Sequence, residues 1–263
     1  MQLFHLIILA VVQGLTEFLP VSSSGHLVLL EHWLGSFDGD IFLNVILHVG
    51  TLLAVLVVYA KDLRRLLNLD TLAVQYIVAL AVATLPAVAV GLLLEDFITG
   101  LFGSPQAASL ALIATGLILM STRLIGDRNR DRRYGAAWEP VPPPLGKALL
   151  IGCAQAMAIM PGISRSGSTI AASIWLGLDR EEAARFSFLM AVPAIAGALV
   201  LQLRDGIPES EASGMGLILG LFASFMVGLV AIRLTALLVV RKHFWKFSFY
   251  CLPLGVLMYF LLK

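Results

Sequence analysis

Charged residues are scarce in this sequence. Only 13% of its 263 residues are Asp, Glu, Lys or Arg, whereas 59% are hydrophobic. A soluble domain carries about 25% charged residues, so this balance excludes an ordinary soluble protein and indicates an integral membrane protein. The formal net charge is only +1, and the absence of a basic recognition face or an RNA-binding signature argues against a nucleic-acid partner.

Cysteine is nearly absent as well. Cys153 and Cys251 are the only two, and both lie in apolar segments without ligand-type neighbours. Two such thiols support neither a disulfide framework nor a zinc site, so we interpret both as packing residues. The apolar N-terminus lacks the basic residues of a signal peptide, and we expect it to belong to the mature protein.

Long apolar runs, in contrast, are abundant. A helix needs about 20 mostly apolar residues to cross a bilayer, and six stretches meet this requirement. They are residues 41–60, 72–94, 106–125, 184–203, 214–239 and 246–262. The predicted fold class is an all-α integral membrane protein with six transmembrane helices.

Two further apolar regions, 2–35 and 145–177, are each interrupted by a cluster of Pro, Gly and Ser, "LPVSSSG" and "MPGISRSG". Neither half of either region is long enough to cross the membrane alone. Irregular backbone at membrane depth is tolerated only where protein or a water-filled cavity satisfies its polar groups. Both regions are therefore predicted to be re-entrant helix–loop–helix hairpins whose tips meet inside the protein.

Lysine and arginine are unevenly distributed among the loops. Most of them lie in the loops 61–71, 123–147, 177–185 and 240–246. Few lie in the loops 36–40, 95–105 and 204–213. The positive-inside rule predicts that the first group is cytoplasmic and the second external, with both chain termini outside and the two hairpins entering from opposite faces.

A shift of 142 residues aligns the two hairpins. It matches Gln13 to Gln155, Ser22 to Ser164, Ser24 to Ser166 and Gly25 to Gly167. Combined with the opposite entry of the hairpins, this alignment predicts an inverted-topology repeat. The first repeat covers residues 1–125, a cytoplasmic linker covers 126–144, and the second repeat covers 145–263.

Ionisable residues inside a membrane are costly and usually mark function. The first hairpin carries Glu17 and His26, and the second carries Arg165. Arginine binds phosphate oxygens through a planar, permanently charged fork, and the N–H groups at the start of the helix in the second hairpin add a positive pole. If the tips meet, their carboxylate, imidazole and guanidinium groups form a set that suits phosphate.

Two spacings in the first hairpin suggest specific roles. Gln13 and Glu17 are four residues apart on one helical face, where their oxygens are candidate ligands for a hard divalent cation. Ser23 and His26 are three residues apart, a spacing that allows a hydrogen bond between a nucleophile and its base. Glu31 is expected on a solvated face near the outer end of this hairpin. His48 is expected to pack within a span or to line the cavity.

The stretches "QGLTEFLPVSSSGH" (13–26) and "PGISRSGST" (161–169) resemble the two signature motifs of undecaprenyl-pyrophosphate phosphatases of the bacitracin-resistance type, and the likeness extends over essentially the whole chain. The resemblance implies an inner-membrane enzyme that removes the terminal phosphate of undecaprenyl pyrophosphate and regenerates the lipid carrier for cell-wall polymers. It also implies a site open to the periplasm and a requirement for a divalent cation, Mg²⁺ or Ca²⁺. The partners are then this lipid and the surrounding membrane lipids.

The resemblance also implies roles for individual residues. Glu17 is the second acid of the first motif, Ser23 and His26 are the nucleophile and its partner, and Arg165 is the phosphate-binding arginine. The hydroxyl positions of the motifs are Ser22, Ser24, Ser164, Ser166 and Thr169. Gln13 stands where some members carry a second glutamate. Whether Ser23, His26 or water attacks phosphorus stays open.

Other functions fit part of the pattern. Inverted repeats with broken helices are typical of transporters too, so a lipid-phosphate flippase or anion transporter is the alternative, followed by a non-catalytic sensor of bacitracin or carrier lipid. A Ser–His pair beside Arg and Glu exceeds what binding alone requires, and this favours catalysis. The sequence leaves the oligomeric state open between a monomer and a homodimer.

Overall fold

The structure, a computed structural model, describes residues 2–37, 40–94, 100–101, 104–125, 138–204 and 210–262. These residues are helical or form short connections, without a strand among them. The helices are α1 Gln2–Thr16, α2 Ser23–Leu34, α3 Ile41–Val58, α4 Ala60–Leu66, α5 Thr71–Leu93, α6 Pro105–Ser121, α7 Leu145–Met157, α8 Arg165–Trp175, α9 Arg180–Gln202, α10 Gly214–Val240 and α11 Ser248–Leu261. Short 3-10 turns at Thr122–Leu124 and Phe244–Phe247 extend α6 and precede α11.

Six helical segments are long and apolar enough to cross a membrane, which confirms the six predicted spans. They are Ile41–Val58, Thr71–Leu93, Pro105–Leu124, Arg180–Gln202, Gly214–Val240 and Phe244–Leu261. The fourth begins before its apolar stretch because the Asp179 side chain accepts a hydrogen bond from the backbone N–H of Glu182 and caps the helix. The chain is therefore a multi-pass membrane protein.

The predicted linker 126–144 is described only in part. Residues 126–137 lie outside the described residues, as do the acidic loop residues Glu95, Asp96 and Glu209. Residues 138–144 are non-helical up to the start of α7. Four of them, Pro140 and Pro142 to Pro144, lack a backbone N–H and cannot donate the hydrogen bonds of a helix.

Contacts between loops divide them into the same two groups as their charge. Arg65 donates to Glu139 at 2.7 Å, Arg180 to the carbonyl oxygen of Ile125 at 3.4 Å, and the Arg123 guanidinium lies 4.7 Å from the centre of the Trp245 ring. These contacts join all four basic loops at one end of the molecule. At the other end Asp40 accepts hydrogen bonds from the Ser210 hydroxyl and the Glu211 N–H.

In each of the two broken apolar regions, the first and the last residues lie at the same end of the molecule. Nδ1 of His5, at the start of α1, lies 2.9 Å from the hydroxyl of Ser36, which follows α2. Lys147, at the start of α7, donates to the carbonyl oxygen of Leu176, which follows α8, at 2.6 Å. The first pair of helices returns to the end with acidic loops and the second to the basic end.

The first helix of each broken region packs against a long helix from the other half of the chain. Helix α1 lies along α10, and α7 lies along α5. The approach is close enough to require glycine: a Cβ at Gly14 would lie 2.7 Å from the Ser224 carbonyl oxygen, and one at Gly152 would lie 2.4 Å from that of Ala83. This crossed packing holds both helix breaks in the centre of the bundle.

Candidate active site

The first helix break follows α1 and ends at a serine cap. Residues 17–21 form turns, and Ser22 then accepts a hydrogen bond from the Gly25 N–H at 3.3 Å, which caps α2. Ser22 has a φ of 69°, a left-handed conformation that costs a non-glycine residue about 1–2 kcal/mol. Strained backbone of this kind is concentrated at functional sites.

The second break repeats this design after α7. Ser164 accepts a hydrogen bond from the Gly167 N–H at 3.0 Å and caps α8, while the Thr115 hydroxyl donates to the Gly162 carbonyl oxygen at 2.8 Å. Gly162 has a φ of 95°, which glycine adopts without strain. The two breaks are therefore held by corresponding serine caps.

The tips of the two breaks touch. The Ser166 hydroxyl donates to the Leu19 carbonyl oxygen at 3.2 Å, and a Cβ at Gly25 would lie 2.8 Å from the Gly162 Cα. On the symmetric side, a Cβ at Gly167 would lie 3.5 Å from the Cβ of Pro20. Polar side chains from both breaks are thus brought into one place.

Glu17 lies at the centre of this group of polar side chains and is 7% exposed. Arg165 donates from Nη2 to Oε1 of Glu17. Oε2 accepts from the Ser23 hydroxyl at 2.6 Å and from Nε2 of Gln13 at 3.1 Å, and Nε2 of His48 lies 3.7 Å away. A single carboxylate therefore links the proposed nucleophile, the predicted phosphate-binding arginine and the glutamine of the first motif.

His26 does not form the hydrogen bond to Ser23 that the spacing of the two residues allows. Its Nδ1 lies 2.8 Å from the Ser22 carbonyl oxygen and its Nε2 lies 2.7 Å from the Tyr250 hydroxyl. Ser23 donates to Glu17 instead of to His26, because a charged carboxylate is a stronger acceptor than a neutral imidazole. The structure thus brings Ser23 and Glu17 together and directs His26 towards α11.

The remaining hydroxyls of the motifs support the breaks. Ser24 lies 3.4 Å from the Ser22 hydroxyl, and Ser166 lies 3.3 Å from that of Ser164. Thr169, one turn further into α8, donates to the Arg165 carbonyl oxygen at 2.7 Å. Its hydroxyl is fully buried within the bundle and stabilises the helix that carries Arg165.

Comparison with known proteins identifies the family of this chain. The family model of the bacitracin resistance protein BacA matches residues 6–257. The chain belongs to this family. An undecaprenyl-diphosphatase of Rhodopirellula baltica is 41% identical over 260 residues, covering 97% of this chain and 96% of the relative. An undecaprenyl-diphosphatase of Halothermothrix orenii is 36% identical, covering 98% of this chain and 97% of the relative. One of Korarchaeum cryptofilum is also 36% identical, covering 97% of this chain and 98% of the relative. The family resemblance of the two motifs is confirmed.

The BacA-family site carries two side chains that are candidate ligands for a cation. Oε1 of Gln13 is buried without a hydrogen-bond partner among the described residues, and it is the kind of amide oxygen that hard cations bind. Across the part of the chain that the structure describes, no three His, Cys, Asp or Glu side chains form a metal-binding group. Glu17 and Gln13 therefore fit a cation that takes its other ligands from water and phosphate, as Mg²⁺ commonly does.

Two residues of this BacA-family protein, Glu31 and His48, have environments that the sequence did not fully predict, and a third, Tyr250, was not predicted to take part in the site. Glu31, expected on a solvated face, is 5% exposed and accepts from the Asn44 amide at 3.2 Å. His48 lines the site and does not only pack within its span. No sequence motif includes Tyr250. It reaches the site only through the packing of α11 against α2 from the other half of the chain, which the sequence does not reveal.

Proposed function

We propose that this protein is an undecaprenyl-diphosphatase. It removes the terminal phosphate of undecaprenyl pyrophosphate, which recycles the lipid carrier for cell-wall polymer synthesis and confers resistance to bacitracin. The observation that carries this proposal is the meeting of Arg165 and Glu17 at the contact between the two breaks, in a chain that matches the BacA family over residues 6–257.

Arg165 is proposed to bind the terminal phosphate of the substrate, which the enzyme removes. Its Nη1 is buried and has no hydrogen-bond partner within the described residues, while its Nη2 donates to Glu17. A pyrophosphate carries more negative charge than one carboxylate, so it competes with Glu17 for the guanidinium. The first N–H groups of α8 add a positive pole beside it, and together they stabilise charge that develops on the phosphoryl oxygens.

Ser23 is proposed as the nucleophile that attacks the terminal phosphorus, breaks its bond to oxygen and displaces undecaprenyl phosphate, with Glu17 as the group that accepts the Ser23 proton. Water then hydrolyses the phosphoserine and releases phosphate. The 2.6 Å hydrogen bond from the Ser23 hydroxyl to Glu17 places base and nucleophile in contact before substrate arrives. His26 is the competing nucleophile, and its neutral Nε2 also suits activation of water. Acid treatment of trapped enzyme separates the two, because phosphoserine survives acid and phosphohistidine does not.

A divalent cation, Mg²⁺ or Ca²⁺, is proposed to bind at Gln13 and Glu17. Binding of substrate to Arg165 would free Oε1 of Glu17, and this oxygen and the unpartnered Oε1 of Gln13 are the two candidate protein ligands. The cation would neutralise charge on the pyrophosphate oxygens. Ser23 keeps its hydrogen bond to the other carboxylate oxygen.

The two broken regions are proposed to be re-entrant hairpins of an inverted repeat in the inner membrane, with the site open to the periplasm. The return of each helix pair to its starting end and the grouping of basic loops support this arrangement. Single cysteines at Glu211 and Asn68, in a background without Cys153 and Cys251, test it. An impermeant maleimide is expected to label position 211 from outside intact cells and to leave position 68 unlabelled, and the reverse pattern would invert the topology.

The decisive experiment measures phosphate release from undecaprenyl pyrophosphate by purified protein in detergent, with Mg²⁺, with Ca²⁺ and with EDTA. We expect release that depends on metal and that falls at least about a hundredfold in Glu17→Gln, which loses the charge of this site but keeps its volume. Absence of release from monodisperse protein under every condition would contradict the proposal and make lipid flipping in proteoliposomes the next assay.

A further inference from the structure

Tyr250 reaches across the molecule to His26. The two residues are 224 positions apart, yet the Tyr250 hydroxyl lies 2.7 Å from Nε2 of His26. Their rings are also stacked, with centres 5.6 Å apart and planes inclined by 11°. A contact that combines a hydrogen bond with parallel stacking fixes both the position and the plane of the imidazole.

The helix that carries Tyr250 is held firmly in place. Helix α11 packs along α6, where a Cβ at Gly116 would lie 2.6 Å from the Leu252 side chain and one at Gly255 would lie 2.8 Å from the Ser109 carbonyl oxygen. The residue after Tyr250, Cys251, lies with its Sγ 3.7 Å from the carbonyl oxygen of Pro20 in the first break. Tyr250 is therefore mounted on a rigid helix that already touches the site.

The hydrogen bonds of His26 define its tautomer. Nδ1 lies 2.8 Å from the Ser22 carbonyl oxygen, and a carbonyl oxygen can only accept, so Nδ1 carries the hydrogen. In a neutral imidazole Nε2 is then the acceptor, and the Tyr250 hydroxyl is the donor. Ser22 cannot easily turn its carbonyl away, because it caps α2 while held at a φ of 69°.

We infer that Tyr250 is a positioning residue that, together with the Ser22 carbonyl oxygen, fixes the position and plane of the His26 ring. Ser22 sets the tautomer, and Tyr250 holds the side of the ring that carries Nε2. This inference rests on the proposed phosphatase function, in which His26 acts on substrate or water through Nε2. A tyrosine hydroxyl donates and accepts equally well. It donates to Nε2 until substrate or water takes its place at that nitrogen, and it accepts from the imidazolium after the proton of that group has moved to Nε2.

The test compares Tyr250→Phe with Tyr259→Phe. The first variant removes the hydroxyl and leaves the stacked ring, and the second removes a hydroxyl from the same helix at a ring that contacts Phe260. Loss of a group that orients a functional histidine commonly lowers activity about tenfold to a hundredfold. We expect Tyr250→Phe to lower kcat by this factor with little change in KM, and Tyr259→Phe to stay within about twofold of wild type.

Two further readouts distinguish positioning from packing. In ¹⁵N spectra of histidine-labelled protein, assigned with a His26 variant, both proteins are expected to show His26 protonated at Nδ1, because the Ser22 carbonyl oxygen is unchanged. The Nε2 signal of wild type is expected to have the shift of a hydrogen-bonded nitrogen, and that of Tyr250→Phe to move towards the value of a nitrogen without this bond. In a His26→Ala background, adding Tyr250→Phe is expected to cost no further activity. An unchanged Nε2 signal, a raised kcat or an additive loss in the double variant would each overturn the inference.

The spectra also separate this inference from the proposed function. If wild type releases no phosphate while the Nε2 signal of His26 still depends on Tyr250, the phosphatase proposal is wrong and the positioning contact stands. If release is normal and the Nε2 signal is the same in Tyr250→Phe, the positioning inference is wrong and the phosphatase proposal stands.

Discussion

The two helix breaks share a backbone design and differ in their chemistry. In each, a serine accepts a hydrogen bond from the glycine N–H three residues later, Ser22 from Gly25 and Ser164 from Gly167. The residue after the cap is Ser23 in the first break and, at the position 142 residues later, Arg165 in the second. Both side chains reach the same carboxylate, that of Glu17.

This difference shows how two similar backbone breaks support an asymmetric site. If both breaks carried arginine after the cap, two guanidinium groups would face each other in a buried site at a large electrostatic cost. If both carried serine, Glu17 would lose its arginine counter-ion. One arginine and one serine leave the backbone contact unchanged and supply both the proposed phosphate-binding group and the proposed nucleophile.

The largest effect is expected where the asymmetry is removed. Arg165→Ala deletes the charge of the second break, and we expect phosphate release to fall about a hundredfold to a thousandfold, the usual loss for a group that stabilises transition-state charge. Arg165→Lys keeps a charge without the planar fork and is expected to recover part of the activity. Initial rates at saturating substrate measure both.

Arg233→Ala is the matched control for these variants. Arg233 is exposed on α10 and belongs to neither break, so its loss is expected to change the rate by less than about twofold. Normal turnover in a folded Arg165→Ala protein would contradict the role of the second break as a clamp. If that variant does not fold, the Lys variant still tests the role, since full activity in a folded Arg165→Lys protein would contradict the need for the planar fork.

A smaller effect is expected when the shared backbone contact is disturbed. In Gly25→Ala the new Cβ would lie 2.8 Å from the Cα of Gly162, and the backbone at the tip cannot move aside as a flexible side chain would. We expect a loss of about 1–3 kcal/mol of stability, seen as a lower Tm in detergent, together with reduced turnover. Gly91→Ala, whose Cβ would meet nothing within 4 Å, is expected to keep or raise Tm, because alanine favours a helix over glycine. Equal Tm values for the two variants would argue against contact between the tips.

Much of this fold is predictable from the order of apolar and polar residues along the chain. Apolar runs of sufficient length and the Pro, Gly and Ser clusters fix the six spans and the two breaks, since both are local properties of the chain. The assembly of Gln13, Glu17, Ser23 and Arg165 could also be anticipated, because costly ionisable residues in a membrane protein converge on function.

The pairing within the site could not be predicted in the same way. The spacing of Ser23 and His26 allows a hydrogen bond between them, but the competing acceptor, Glu17, lies in the preceding turns rather than in the same helix. Tyr250 and His48 join the site through helices far away in sequence, and Glu31 is buried by Asn44 of α3. Such contacts depend on the relative rotation of packed helices, which the apolar pattern of helices in a membrane leaves almost undetermined.

The smallest effect is expected at the glutamine that the two halves share. Gln155 corresponds to Gln13 by the 142-residue shift, yet Gln13 donates to Glu17, whereas both amide atoms of Gln155 are buried without a hydrogen-bond partner among the described residues. Replacing a buried unsatisfied amide by an apolar group of similar shape is close to neutral or stabilising, so Gln155→Leu is expected to keep activity within about twofold and to keep or raise Tm. Gln13→Leu, in contrast, is expected to raise the Mg²⁺ concentration needed for half-maximal turnover, because it removes a candidate ligand beside Glu17. Metal titrations of both variants measure the difference. If Gln155→Leu weakened the metal dependence as strongly as Gln13→Leu, the second half of the chain would take part in cation binding and the asymmetry between the breaks would be smaller than the structure indicates.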